Sequence, residues 1–268
     1  MPDGGLDRAR SLRPRLRAAL AWLHLWLGLV VGTLFALVSL AGTVLVFHDE
    51  LLLATRPALA NHAPVADAAV MGRLLEDAPS LGLTALDLPR EALPVWQGYL
   101  ADGRRAYFAP DDGRLLLARG HDDDWLMWLH HWHVDLLGGA VGKEVLGVVG
   151  WISLGLLASG LYLWWPKRGR MLAQLRWHAG PPARRWLSWH RSSGVLLLPL
   201  LGLATLTGVG MVYSSGFRTV LVAVLGEKPA PGFLAGNATS DAIDWPAVLR
   251  KAGTGIPGAR VARVSPPT

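Results

Sequence analysis

The sequence has 268 residues, of which 51 % are hydrophobic and 17 % are charged. Soluble domains carry roughly 25 % charged residues, so the composition argues against a purely soluble enzyme. The net charge of +6 is unevenly distributed: residues 1–17 and 166–191 are basic, whereas residues 48–135 hold fourteen acidic and seven basic residues. Because the basic segments flank apolar stretches, the charge is a signal of membrane topology, and no nucleic-acid partner is expected.

Three apolar stretches, 20–47, 145–165 and 194–213, approach or exceed the ~20 residues of a bilayer-spanning helix. The positive-inside rule places the N-terminus and the 166–191 loop in the cytoplasm, and residues 48–135 in the periplasm or exterior. The predicted fold class is mainly α, an integral membrane helical bundle in a lipid bilayer. A small α+β domain lies between its first two spans.

The small domain begins with a predicted helix at 65–76, followed by strand-like runs at 83–88, 95–100, 106–108 and 115–117. Asp-Gly turns separate the last three of these runs. The predicted segments are a basic N-terminus (1–17), span 1 (18–50), the α+β domain (51–124), a His-rich segment with span 2 (125–165), a cytoplasmic loop (166–188), span 3 (189–217) and the start of a second small domain (218–268).

The His-rich segment poses a problem of length. A continuous helix from His133 to Lys167 would measure about 51 Å, against roughly 30 Å of hydrocarbon. Either the helix projects beyond the membrane or it is kinked at Gly138-Gly139. Both alternatives place His130, His131 and His133 at the outer membrane face.

Spans 1 and 3 contain an internal repeat. His24, Gly28, Gly42 and Phe47 recur as His190, Gly194, Gly208 and Tyr213 at the same offsets. The segments 67–89 and 242–266 also resemble one another, each with a helix followed by an extended run that ends at a proline. The repeat predicts a fourth span that the 268 residues do not contain. We therefore expect these residues to form about three quarters of a duplicated arrangement of spans and small domains.

A histidine inside an apolar span is costly unless it is satisfied, and it marks function by default. His24 and His190 lie at matching depth in two spans, as required to hold a b-type haem between two neutral imidazoles. Gly28 and Gly194, one turn further into the membrane, would let the macrocycle approach the helices. The alternative is that each histidine bonds a neighbouring carbonyl.

A second histidine cluster comprises His130, His131 and His133, with His48 at comparable depth. One hypothesis is a second haem, with its other ligand on the absent fourth span. Another is a surface Fe, Cu or Zn site that uses the run of Asp residues at 122–124 as oxygen ligands. A third is that this run caps a helix and the histidines are interfacial.

Motifs for other cofactors are missing from the sequence. Without cysteine there is no attachment site for c-type haem. We find no motif for NAD, flavin or ATP, and no arrangement typical of a hydrolase.

Several stretches resemble the PepSY-associated transmembrane family, also called iron-regulated membrane proteins. The stretches are Trp-Leu-His-Leu-Trp-Leu-Gly at 22–28, Phe-His-Asp-Glu-Leu at 47–51, Leu-His-His-Trp-His-Val-Asp at 129–135, Gly-Leu-Tyr-Leu-Trp-Trp-Pro-Lys at 160–167 and Trp-His-Arg-Ser-Ser-Gly at 189–194. The end of the small domain, Phe-Ala-Pro-Asp-Asp-Gly-Arg-Leu at 108–115, is similar to the end of a PepSY domain.

This resemblance implies one or two b haems, with His24 and His190 on the cytoplasmic-side haem and His133 or His130 on the outer one. It further implies a reductase of ferric siderophores or other ferric chelates in the bacterial inner membrane. The electron donor would be quinol or a partner protein. The alternative is a non-catalytic PepSY membrane module that binds a protein partner or a siderophore.

Overall fold

The structure is a computed structural model that describes residues 4–165, 175, 177–226, 244–255 and 260–266. The predicted 166–188 loop and 218–268 segment lie partly outside these residues, as do the side chains of Arg8, Arg10 and Arg13. The chain forms two compact units: a membrane unit (1–40 and 134–228) and an extramembrane unit (41–133 and 229–268).

Three of the described helices are long and apolar enough to cross a membrane, which confirms the predicted membrane helical bundle. They are α1 (Gly4–Leu45), α6 (Gly139–Trp164) and α7 (Pro182–Val212). The candidate span within α1 is Pro14–Leu45. A shorter apolar helix, α8 (Ser214–Leu225), follows α7 directly.

The chain breaks before α6, at the predicted Gly138-Gly139 position. Leu136, Leu137 and Gly139 have positive φ angles of 51°, 60° and 55°, a conformation that ends an α-helix. A side chain at Gly142 would collide with the Asp135 carbonyl, so only glycine fits there. The His-rich residues therefore form a separate helix, α5 (Trp125–Asp135), and the continuous helix considered from the sequence is not formed.

The extramembrane unit is a small α+β domain, as predicted. Its five-stranded antiparallel sheet has the order β4-β3-β2-β1-β5. The strands are β1 (Leu83–Asp87), β2 (Trp96–Leu100), β3 (Arg105–Phe108), β4 (Leu115–Arg119) and β5 (Arg263–Val264), and the helices are α2 (His48–Thr55), α3 (Ala68–Glu76), α4 (Ala78–Leu81) and α9 (Trp245–Gly255), with a 3-10 helix at Pro57–Leu59.

The C-terminal elements, expected to begin a second domain, pack on the first. Strand β5 pairs with β1, and Trp245 is buried in the core formed by α3 and the sheet. One helix and one two-residue strand cannot bury their own apolar faces, and the existing core provides the missing partner. Helices α3 and α9 begin alike, since Asp67 accepts a hydrogen bond from Ala69 N and Asp244 from Ala247 N.

Candidate functional site

The membrane unit contains one large apolar cavity of about 840 Å³, formed by residues of α1, α6 and α7. This volume lies within the roughly 300–1,000 Å³ typical of cofactor and ligand sites. Apolar side chains dominate its lining, and His24 and His190 both line it, as do Gly28 and Gly194. A Cβ atom added to either glycine would have no atom within 4 Å, so both positions face open space.

The structure brings His24 and His190 together. Their ring centroids lie 6.2 Å apart. Two imidazoles bound to one metal through bonds of about 2.0–2.1 Å would have centroids roughly 6 Å apart. The spacing is therefore compatible with two imidazoles that bind one metal ion, and the repeat in the sequence pointed to the same two positions.

Two small residues of α6, which the sequence analysis did not identify, hold His24 in place. The Ser159 hydroxyl donates its single hydrogen to the Leu156 carbonyl, so it can only accept from His24. The donor is therefore His24 Nδ1–H, and the two heavy atoms lie 2.9 Å apart. This bond assigns the proton to Nδ1 and leaves the lone pair on Nε2. A Cβ at Gly160 would lie 3.1 Å from His24 Cε1, so the glycine makes room for the ring. Small residues at helix interfaces were the available signal in the sequence.

If His24 holds a haem, Ser159→Ala should weaken haem binding by roughly 10- to 100-fold, the usual cost of losing a hydrogen bond that orients a ligating histidine. The matched control is Ser153→Ala, because Ser153 also lines the cavity but its hydroxyl donates to Val149 in its own helix. Haem titration followed at the Soret band measures both variants. Equal losses in both would contradict a role for the His24 bond.

Gly160→Ala should displace the His24 ring and reduce the low-spin haem content of the purified protein severalfold. Gly155→Ala, in the same helix, adds the same methyl group where nothing lies within 4 Å, and it should leave the haem content unchanged. The ratio of Soret absorbance to protein absorbance gives the haem content. If the Gly160→Ala protein kept the haem content of the unmodified protein, the close approach of Gly160 to the His24 ring would have no consequence for the ring.

The second histidine cluster lies in the extramembrane unit, and each of its histidines has a partner. His48 Nδ1 contacts Asp49, while Nε2 accepts from Arg105 at 3.2 Å and Arg119 at 2.9 Å. His130 Nε2 lies 3.4 Å from Arg105 Nη2. Burial and then the charge of Arg105 lower the pKa of His130 to about 4, so its ring is neutral at pH 7.

His133 packs differently. A Cβ at Gly42 would lie 2.8 Å from His133 Cε1, so a glycine accommodates this ring just as Gly160 accommodates that of His24. His131 lies against the rings of His121 and His130. The implied outer ligands remain His133 and His130, and the Nε2 atom of His130 faces a guanidinium.

The described residues contain no group of three or more His, Asp or Glu side chains placed to hold a metal ion, so they give no support to the suggested Fe, Cu or Zn site. Two of the three aspartates have other partners. Asp123 pairs with Arg104, and Asp124 accepts from Leu126 N and Met127 N at the start of α5. Asp124 therefore caps a helix, as the third hypothesis for this run of aspartates expected.

The network around Arg119 was not foreseen. Its side chain is 2 % exposed and donates to Tyr107 Oη, Asp124 Oδ1 and His48 Nε2. Arg119 thereby joins β3, β4, α2 and the start of α5. An arginine at the end of a Leu-rich strand gives no local signal of such burial.

Comparison with known proteins was made at the level of families and of curated sequences. A family model described as "PepSY-associated TM region" matches residues 21–264, which include both membrane histidines and the extramembrane domain. No curated protein matches this chain significantly. The chain belongs to the PepSY-associated transmembrane family.

Proposed function

We propose that this protein is a b-haem electron-transfer protein of the bacterial inner membrane that reduces ferric siderophores or other ferric chelates. The observation that carries the proposal is the pair of imidazoles, 6.2 Å apart, in one apolar cavity. The open positions at Gly28 and Gly194 fit a flat macrocycle that approaches both helices. Membership of the family supports the same assignment.

The chain's residues would bind the cofactor and define its surroundings. His24 Nε2 and one ring nitrogen of His190 would bind the iron, and Ser159 would keep the Nδ1 proton of His24 in place. The apolar lining would exclude water. A bound haem would supply a one-electron carrier, because an iron with two imidazole ligands has no free position for substrate.

In the overall reaction, each ferric ion takes up one electron and becomes ferrous, and a quinol or a reduced partner protein provides that electron. The membrane orientation proposed from the charges places the N-terminus in the cytoplasm and the PepSY-like domain in the periplasm. A second haem would use His133 or His130 as a ligand. Siderophore oxygens are hard ligands that prefer the ferric ion, so reduction would release the iron.

The test begins with the protein purified in detergent from haem-replete cells. We expect a Soret band and a reduced-minus-oxidised α-band of low-spin haem with two histidine ligands. Adding ferric citrate or a ferric trihydroxamate without oxygen should reoxidise the reduced protein and produce ferrous iron. A folded but colourless protein would refute the proposal and favour the non-catalytic module. A reduced haem that neither chelate oxidises would refute the reductase function.

A further inference from the structure

The charges in the cavity provide a further clue. Among the described residues that line it, Arg17 and Arg191 are the charged ones, and there is no carboxylate. Two cations without a counter-charge beside an apolar space favour a ligand that carries negative charge. That ligand must also be largely apolar to match the remaining lining.

The two cations lie on the imidazole side of the cavity. Arg17 precedes His24 by seven residues on α1, which is two turns or about 10.5 Å along the same helix face. Arg191 follows His190 directly, so its backbone lies at the level of the imidazoles. Gly28 lies on the other side of His24 from Arg17, and no charged residue among the described ones lines the cavity beyond it.

Arg17 is held in place by the helix beside it. Its Nη2 donates to the Leu163 carbonyl at 2.7 Å, and the guanidinium lies 6.0 Å from the centre of the Tyr162 ring. A guanidinium has five N–H donors, so others remain for a ligand. Hydrogen bonds from such a cation to a carboxylate are stronger than neutral ones.

We propose that Arg17 and Arg191 bind the two propionate carboxylates of the haem. This inference rests on the proposed function and adds the orientation of the cofactor, with its carboxylate edge toward Arg17. Haem b is a flat apolar macrocycle with both carboxylates on one edge, which corresponds to an otherwise apolar cavity with two cations in its lining.

The test compares ferric haem with its dimethyl ester, in which both carboxylates are esterified. Each is titrated into the haem-free full chain in detergent and followed at the Soret band. We expect the unmodified protein to bind the free acid at least about tenfold more tightly than the ester. Both should give a low-spin spectrum, since His24 and His190 are unchanged.

The double variant Arg17→Gln/Arg191→Gln should lose this preference and bind both compounds with similar affinity. The matched control is Arg15→Gln/Arg184→Gln, which removes two arginines from the same helices that do not line the cavity. The control should keep the full preference.

The outcomes separate this inference from the function on which it rests. Equal affinity of the unmodified protein for acid and ester, with low-spin spectra for both, would overturn the carboxylate contacts and leave the haem site intact. Equal reductions in the cavity and control variants would also overturn the contacts. No low-spin spectrum with either compound would refute the haem site itself. The comparison with unmodified protein requires no variant to fold.

Discussion

Replacing either His24 or His190 by alanine is expected to remove the same haem. Each variant should lose the Soret and α-band features of that haem, because one iron needs both imidazoles to stay low-spin. The 6.2 Å spacing of the two rings is the basis for this expectation. Absorbance spectra of the oxidised and reduced proteins, with haem quantified per protein, measure the loss.

His178→Ala is the control for this experiment, since His178 belongs to the membrane unit but does not line the cavity. Its spectrum should match that of the unmodified protein. If the two ligand variants lost different haems, with distinct band positions or redox potentials, the proposed pairing would be wrong. A low-spin haem retained in both variants would exclude these histidines as ligands.

The second large effect is expected in the extramembrane domain. Arg119→Met should lower its free energy of unfolding by about 3–5 kcal/mol, because it leaves the buried Asp124 carboxylate without its cation. Tyr107 and His48 lose a donor at the same time. Thermal unfolding of the full chain, combined with limited proteolysis of this domain, measures the change.

Arg104→Met is the matched comparison, because Arg104 forms an ion pair with Asp123 in which both side chains are about half exposed. An exposed pair contributes about 0–1 kcal/mol, so this variant should unfold almost like the unmodified protein. Similar losses in the two variants would show that burial of Arg119 does not make its network more important than a surface ion pair.

Local patterns in the sequence predicted the fold well. Apolar length identified the three spans, and turn residues separated four strands close to their observed positions. The glycine pair at 138–139 left two alternatives, a helix that projects beyond the membrane or an interrupted helix. The structure has the interrupted helix, because Leu136 and Leu137 adopt positive φ angles. The interruption depends on the close approach of backbone atoms, and hydrophobic periodicity carries no information about such contacts.

The candidate site was predicted only in part, for a related reason. The repeat pointed to His24 and His190 because equivalent positions in two spans can be compared directly. Ser159 lies 135 residues from the histidine it contacts, so no local spacing connects them. The Asp run at 122–124 resembled a set of metal ligands, yet tertiary contacts with Arg104 and Arg119 use two of its members.

The pairing of β1 with β5 also says something about how such a chain could arise. Leu86 pairs with Val264, and Asp87 pairs with Arg263. When the repeats are aligned from Asp67 and Asp244, Leu86 corresponds to Arg263 and Asp87 to Val264, so exchanging the two copies turns one pair into the other. Contacts of this kind are isologous, as in a two-fold dimer. A protein with a single helix–strand copy would thus present an edge complementary to itself, and gene fusion could convert such a homodimer into one chain.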